Sequence, residues 1–336
     1  MTDGDLKVTR LDTKWPASLS GDHAVDRHGF GRVALQENDI SCVYGAPLRE
    51  LAPTAPGARQ ISPLFPGAAA LEEVAAESLD AVVVAAPPGS LERRYVLALA
   101  LQALKPGAEL TALAPKDKGG ARLGGELRAF GCEVEESGRR HHRICRTRRP
   151  QEPTGLDAAR EAGAPRRVES LGWTQPGLFS WDRPDPGSRL LIGSLPALGG
   201  RGADLGCGAG LLSQAVLAQP AVSRLALVDS DRRAIEAARL NVEDPRASFH
   251  WTDARSLELS GLDFVVTNPP FHDAGREDRR LGQAFIAAAH GALRTGGVLW
   301  LVANRHLPYE EALRSLFATV VLRAERDGFK VYEAHR

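Results

Sequence analysis

Between Leu79 and Ser90 the chain reads LDAVVVAAPPGS, a run of β-forming residues that stops on two prolines. Between Leu262 and Asp273 it reads LDFVVTNPPFHD, the same kind of run with the same stop. Each is followed by an apolar stretch of helical periodicity, and then by a second strand pattern broken by a glycine turn: ALKPGAELTALAP in the first case, ALRTGGVLWLVAN in the second. Strands alternating with helices predict a parallel sheet with helices packed on its faces. The order is the same in both halves, so the pattern predicts two copies of one α/β fold, joined through the polar, Pro-rich and Arg-rich segment around Arg146 to Arg167.

The copies are not equivalent. In the second half RGADLGCGAGLLSQAVLA predicts a short strand at Ala203, Asp204 and Leu205, a turn carrying Gly206, Gly208 and Gly210, and an apolar-periodic helix. RLALVDSD predicts a strand ending at Asp229, and ASFHWTDAR one ending at Asp253. No glycine-rich turn precedes the first copy, and Ala86 stands there where Asn268 stands in the second. The N-terminal copy therefore reads as catalytically empty.

Composition changes this picture little. At 336 residues the chain has room for two domains, each with its own core. It contains no run of about 18 apolar residues, which argues against a membrane role. The opening MTDGDLKVTR lacks the apolar core of a secretory signal and points to a cytoplasmic protein. Cys42, Cys132, Cys145 and Cys207 form no C-x-x-C pair and are expected as reduced thiols. His141, His142 and Cys145 lack a fourth ligand, so no metal is expected.

Net charge is zero, with 42 basic and 42 acidic residues, so global electrostatics announce no nucleic-acid partner. RRHHRICRTRR, Arg139 to Arg149, holds six arginines and no acid. It suits backbone phosphates, and equally a solvated strand end leading into the linker. PKDKGG, Pro115 to Gly120, leaves the same choice between RNA contact and ordinary turn chemistry.

The candidate chemistry gathers at the strand ends of the second half. Glycines at Gly206, Gly208 and Gly210 let the backbone approach a ligand, with a helix N-terminus facing it. Leu211 stands where a dinucleotide fingerprint needs its third glycine, which disfavours NAD or FAD. Asp229 follows at the spacing at which a carboxylate accepts ribose hydroxyls, while Asp231 suits a helix cap. Asp253 ends the third strand, where a carboxylate can meet an adenine amine. At the fourth strand end, Asn268 and the carbonyl of Pro269 can accept both hydrogens of an exocyclic amine, Pro270 stiffens the turn, and Phe271 can stack on the ring. A tight turn chosen for shape explains the prolines but not the asparagine.

With DLGCGAG, Asp229, Asp253 and NPPF in place, the chain resembles the class I S-adenosylmethionine-dependent methyltransferases. More narrowly it resembles the bacterial rRNA guanine-N2 methyltransferases of the small-subunit (16S) type and their large-subunit relatives, through PGLFSWDRPDPGSRLL, NPPFHDAG, VANRHLPY and GFKVYEA. The resemblance implies two tandem Rossmann-like class I methyltransferase domains. Residues 1–150 form the degenerate one, for RNA binding or structural support, and 166–336 the catalytic one. It implies S-adenosylmethionine as cofactor and ribosomal RNA or the small subunit as partner, with no metal, no membrane and a monomer compatible with the pattern. Asp204, Gly206, Gly208 and Gly210 would cradle the methionine part of the cofactor, Asp229 its ribose and Asp253 its adenine, with Asn268 beside it. Asn268, Pro269, Pro270 and Phe271 would form the catalytic turn; Asp185, Gly187, Ser188, Phe271 and His272 would line the substrate side, and Asp273 either joins them or caps the next helix. The run DRPDPGS departs from the family through Pro184 and Pro186. Rival acceptors for the same cofactor are adenine N6 and glutamine N5, and the rival of another class is a non-catalytic RNA-binding assembly factor.

Overall fold

The protein is described here from a computed structural model, which places residues 40–256, 258–270, 272–273, 276–277 and 279–336. The N-terminal lobe is a six-stranded sheet of β1 (Ser41–Tyr44), β2 (Arg59–Gln60), β3 (Leu79–Ala85), β4 (Leu104–Pro115), β5 (Val134–Arg139) and β6 (His142–Arg148), in the order β2-β1-β3-β4-β6-β5. Its helices are α1 (Ser90–Ala103), α2 (Ala121–Ala129) and α3 (Leu156–Gly163). A hairpin, β7 (Arg166–Val168) and β8 (Gly172–Thr174), leads to α4 (Pro186–Ser194).

The second lobe follows with β9 (Gly200–Leu205), α5 (Leu211–Leu217), β10 (Val222–Asp229), α6 (Arg232–Asn241), β11 (Ala247–Trp251) and β12 (Leu262–Thr267). Two short strands, β13 (His272–Asp273) and β14 (Arg276–Glu277), pair antiparallel before α7 (Arg279–Ala292), β15 (Leu293–Asn304), α8 (Tyr309–Leu316), β16 (Thr319–Arg326) and β17 (Phe329–His335). Its sheet runs β11-β10-β9-β12-β15-β17-β16.

The two sheets are one design. Removing β11 from the second leaves the order of the first, down to the antiparallel strand inserted beside β4 in one lobe and beside β15 in the other. The repeat extends to side chains. Asp80, second residue of β3, accepts Ile40 N at 2.9 Å and Lys105 Nζ at 2.7 Å. Asp263, second residue of β12, accepts Arg201 N and Arg294 Nε, each at 2.7 Å. In each lobe one carboxylate thus ties three neighbouring strands at the edge opposite the strand ends that carry chemistry, and these bonds hold both carboxyls below the usual aspartate range.

Helix α1 is buried on nearly every side; Leu97, Ala98, Ala100 and Leu101 expose no surface. A helix apolar all round belongs inside a core, so its two buried charges, Glu92 and Arg93, need partners. Helix α3 lies inside the segment expected as linker, and its Ala159 joins the N-terminal core.

The arginine run takes its ordinary reading at most positions. Arg140 pairs with Glu50, Arg143 with Glu136, Arg148 with Glu109, and the buried Arg149 with Glu77. Cys145 packs in the N-terminal core, and all four cysteines are buried free thiols. Among the described residues no helix is long and apolar enough to cross a membrane.

The Ala86-Pro87-Pro88 turn shows why the first copy reads as empty. Arg93 of α1 turns back onto it and donates through Nη1 to Pro87 O at 3.1 Å and Pro88 O at 2.8 Å. Its Nε and Nη2 clamp Glu126 at 2.6 and 2.7 Å. Gly119, at φ +93°, lies flat on that guanidinium, and a Cβ there would fall 2.1 Å from Nη1. PKDKGG is therefore the turn that covers Arg93. The two proline carbonyls of this turn are consumed by an internal guanidinium.

Candidate active site

The glycine loop leaves β9 at Leu205 and is gripped at once by the next strand: Gly206 N and Cys207 N both donate to Val228 O, at 2.8 and 3.0 Å. Gly206, Gly208 and Gly210 have φ of +75°, +53° and +92°, a backbone that side chains resist. A Cβ at Gly210 would lie 2.9 Å from Val242 Cγ2, so that glycine serves packing. At Gly208 a Cβ would meet nothing within 4 Å, so the loop faces open space there.

Two carboxylates flank the loop. Asp229 accepts Gly208 N on Oδ2 and Asp231 N on Oδ1, both at 2.9 Å. Asp204 is fully buried; its Oδ2 accepts Ser213 Oγ at 2.6 Å, and its Oδ1 has no protein donor. An unpaired buried carboxylate oxygen is costly. Burial pushes the Asp204 carboxyl up to about 7, with Asp229 adding to the effect, and pushes Asp229 up to about 6. An open loop, a lone acceptor and a second acid at the next strand end fit a ligand bearing an ammonium and a ribose.

Asn268 lies at the tip of β12. Its Nδ2 donates to Asp185 Oδ2 and to Ser188 Oγ, both at 2.9 Å. A carboxylate only accepts, so the amide can present only its nitrogen to Asp185. Asn268 Oδ1 is thereby left as the acceptor for whatever enters. Asp185 caps α4, also accepting Ser188 N at 2.7 Å. Gly187 completes the clamp because a Cβ there would meet the Phe329 ring at 2.7 Å, which links DRPDPGS to GFKVYEA. Below the turn, buried Thr267 Oγ1 donates to Leu205 O at 2.6 Å and locks β12 to the start of the glycine loop.

Asp204, Gly206, Gly208, Gly210, Asp229 and Asn268 thus converge where three neighbouring strands end. Asp185 and Ser188, expected on the substrate side, hold Asn268. Asp253 carries Arg255 on its carboxylate, which lowers its pKa. Asp231 caps α6 as expected, through Arg233 N at 2.9 Å. Phe271 lies outside the described residues; so do the side chains of His272 and Asp273, whose backbone forms β13. Two supports escaped sequence reasoning. Ser213 orients Asp204. Asn241, at the end of α6, donates to Ala209 O at 2.9 Å in the loop and to Trp173 O at 2.8 Å in β8. Neither has a sequence signal beyond being polar on a buried helix face.

The family model for the methyltransferase small domain matches residues 171–333. The Pseudomonas aeruginosa (strain LESB58) ribosomal RNA small subunit methyltransferase C is 32% identical over 289 residues, spanning 82% of this chain and 86% of its own. The chain belongs to the ribosomal RNA small subunit methyltransferase C family. The Shewanella amazonensis member is 31% identical over 266 residues, 76% of this chain and 77% of its own. Among solved structures, the T. thermophilus 16S rRNA N2 methyltransferase in complex with AdoMet and guanosine superposes with a TM-score of 0.70 over 90% of each chain, at 23% identity. That agreement supports the two-lobe methyltransferase architecture for this member of the family.

Proposed function

We propose that this chain methylates the exocyclic N2 amine of a guanine in small-subunit ribosomal RNA, using S-adenosylmethionine. The observation that carries the reading is the orientation of Asn268, whose nitrogen is held by Asp185 and Ser188 so that Oδ1 is the amide atom left to accept. When bound, S-adenosylmethionine supplies an electrophilic methyl group. Asp204 would hold its amino-acid end and Asp229 its ribose. Asn268 Oδ1 and the Pro269 carbonyl accept the two N–H bonds of the guanine amine, which turns the nitrogen lone pair out of conjugation and fixes its direction. Catalysis is then mainly positioning, with no strong base required. A base inside a duplex cannot reach such a turn, so the target is an unpaired or extruded nucleotide.

The test is transfer of labelled methyl from S-adenosylmethionine to ribosomal RNA and to small subunits from cells lacking this gene, followed by nucleoside analysis. Label in N2-methylguanosine supports the reading. Label in N6-methyladenosine, or none in RNA despite cofactor binding, overturns it.

Cofactor affinity is expected to depend on pH. With Asp204 near 7 and Asp229 near 6 in the free protein, both are partly protonated at pH 6. An ammonium and ribose hydroxyls favour the charged carboxylates, so binding releases protons and tightens as pH rises. Between pH 6 and 7.5 the gain should be roughly tenfold. For the free protein the sign is opposite. Folded pKa values above the unfolded ones mean stability falls as pH rises from about 4 to 7. Calorimetry in two buffers of different ionisation enthalpy measures the proton release directly.

A further inference from the structure

The two lobes meet at the end of the crevice that carries Asp229 and Asp253. Pro63, in the segment after β2, offers its carbonyl to Arg232 N at 2.9 Å and to Trp251 Nε1 at 3.1 Å. Trp251 Nε1 also reaches Ser230 O at 3.0 Å. Ser230 follows Asp229, and Trp251 closes β11 two residues before Asp253. One carbonyl from the N-terminal lobe therefore sits on the tips of both strands.

Beneath it, Arg233 of α6 is 3% exposed. Its Nε and Nη2 hold the Asp231 carboxylate at 3.0 and 2.8 Å, and its Nη1 donates to Glu92 of α1 at 2.8 Å. Asp231 N donates to Asp229 Oδ1, and Asp229 Oδ2 accepts Gly208 N. An unbroken series of hydrogen bonds thus runs from Glu92 in the first lobe through Arg233, Asp231 and Asp229 to the glycine loop of the second. Arg232 adds a parallel bridge, to Glu72 at 2.9 Å and Glu236 at 2.7 Å.

Capping α6 requires only the Asp231 carboxylate on the Arg233 backbone. Nothing in the helix itself calls for a guanidinium on that acid or for a second acid from another lobe. Burying two carboxylates and a guanidinium is a poor route to stability, since apolar residues of the same size do as well. What the triad adds is direction, because the planar guanidinium sets the Asp231 carboxylate and through it the peptide that bonds Asp229.

We propose that the N-terminal lobe is a working part of the cofactor site: Glu92, acting through Arg233 and Asp231, is a positioning residue for Asp229, and Pro63 holds the tips of β10 and β11 at the spacing the adenosine moiety needs. This rests on Asp229 being the ribose carboxylate. In the full-length chain, Glu92→Gln should raise both Kd and KM for S-adenosylmethionine roughly tenfold, the scale of coupling between hydrogen-bonded neighbours. It should leave kcat at saturating cofactor and KM for RNA within about twofold. Arg233→Lys, which keeps the charge and loses the fork, should do the same if Glu92→Gln folds poorly. Interface glue alone would lower the melting temperature and leave Kd unchanged in the folded protein, and that result overturns the proposal. Asp229→Ala separates the two readings. If it abolishes binding while Glu92→Gln binds normally, this inference fails and the site stands; if Asp229→Ala binds normally, the ribose assignment fails and takes the inference with it.

Discussion

Asn268→Ala is expected to lower kcat for methyl transfer about 10²- to 10³-fold while Kd for S-adenosylmethionine changes several-fold at most, the range of losing one fixed acceptor at a reacting centre. The clamp explains why the loss is large. Two side chains, Asp185 and Ser188, are committed to holding one amide nitrogen, so the oxygen opposite is set before the substrate arrives. Asn268→Asp tests the same point differently. It keeps the shape and an acceptor, but sets a carboxylate against the Asp185 carboxylate and forces either a protonation or a rotation. It should fail nearly as badly as alanine. Single-turnover rates at saturating cofactor, with Kd from calorimetry on the same preparations, decide the matter: a variant with parental kcat would remove Asn268 from the reaction.

The second large effect is on stability. Arg93→Met should destabilise the N-terminal lobe by about 3–5 kcal/mol, because it leaves the Glu126 carboxylate without its guanidinium and the Pro87 and Pro88 carbonyls without a donor. The double variant Arg93→Met with Glu126→Leu removes both charges and should recover part of the loss. Denaturant unfolding followed by far-UV circular dichroism measures both. A single variant within about 1 kcal/mol of the parent would show that the guanidinium is not what closes the turn.

Much of the fold was legible because periodicity reports burial. LDAVVVA and LDFVVT could be paired from their apolar runs and Pro-Pro stops, and the glycine turn, Asp229 and Asn268 lie at strand ends where a parallel sheet must place them. The duplication was legible at the same level. Less visible was what each polar residue touches. Asp185 and Ser188 were read as lining the substrate, but α4 brings them onto Asn268 across some 80 residues of chain, a contact no local pattern encodes. Six arginines in eleven residues left phosphate contact and a solvated strand end equally open, since three of the acids that pair with them, Glu50, Glu77 and Glu109, are far off in sequence. Arg93 and Glu92 carry no sequence signal beyond lying near the start of a helix. Only tertiary structure reveals that one plugs a turn in its own lobe and the other reaches into the next.

The insertion of β17 between β15 and β16 bears on how the enzyme is made. Every other strand of that sheet is synthesised before Phe329, yet the sheet cannot close until Phe329–His335 enters its slot. Phe329 also supports Gly187, and through it the clamp on Asn268. A nascent chain can therefore finish its N-terminal lobe, whose own inserted strand β6 ends at Arg148, while the catalytic lobe is still open-edged. The finished first lobe then offers Pro63 and Glu92 as a template for β10, β11 and α6 as they emerge. The clamp on Asn268, and with it this edge of the crevice, is complete only once that last strand has entered its slot.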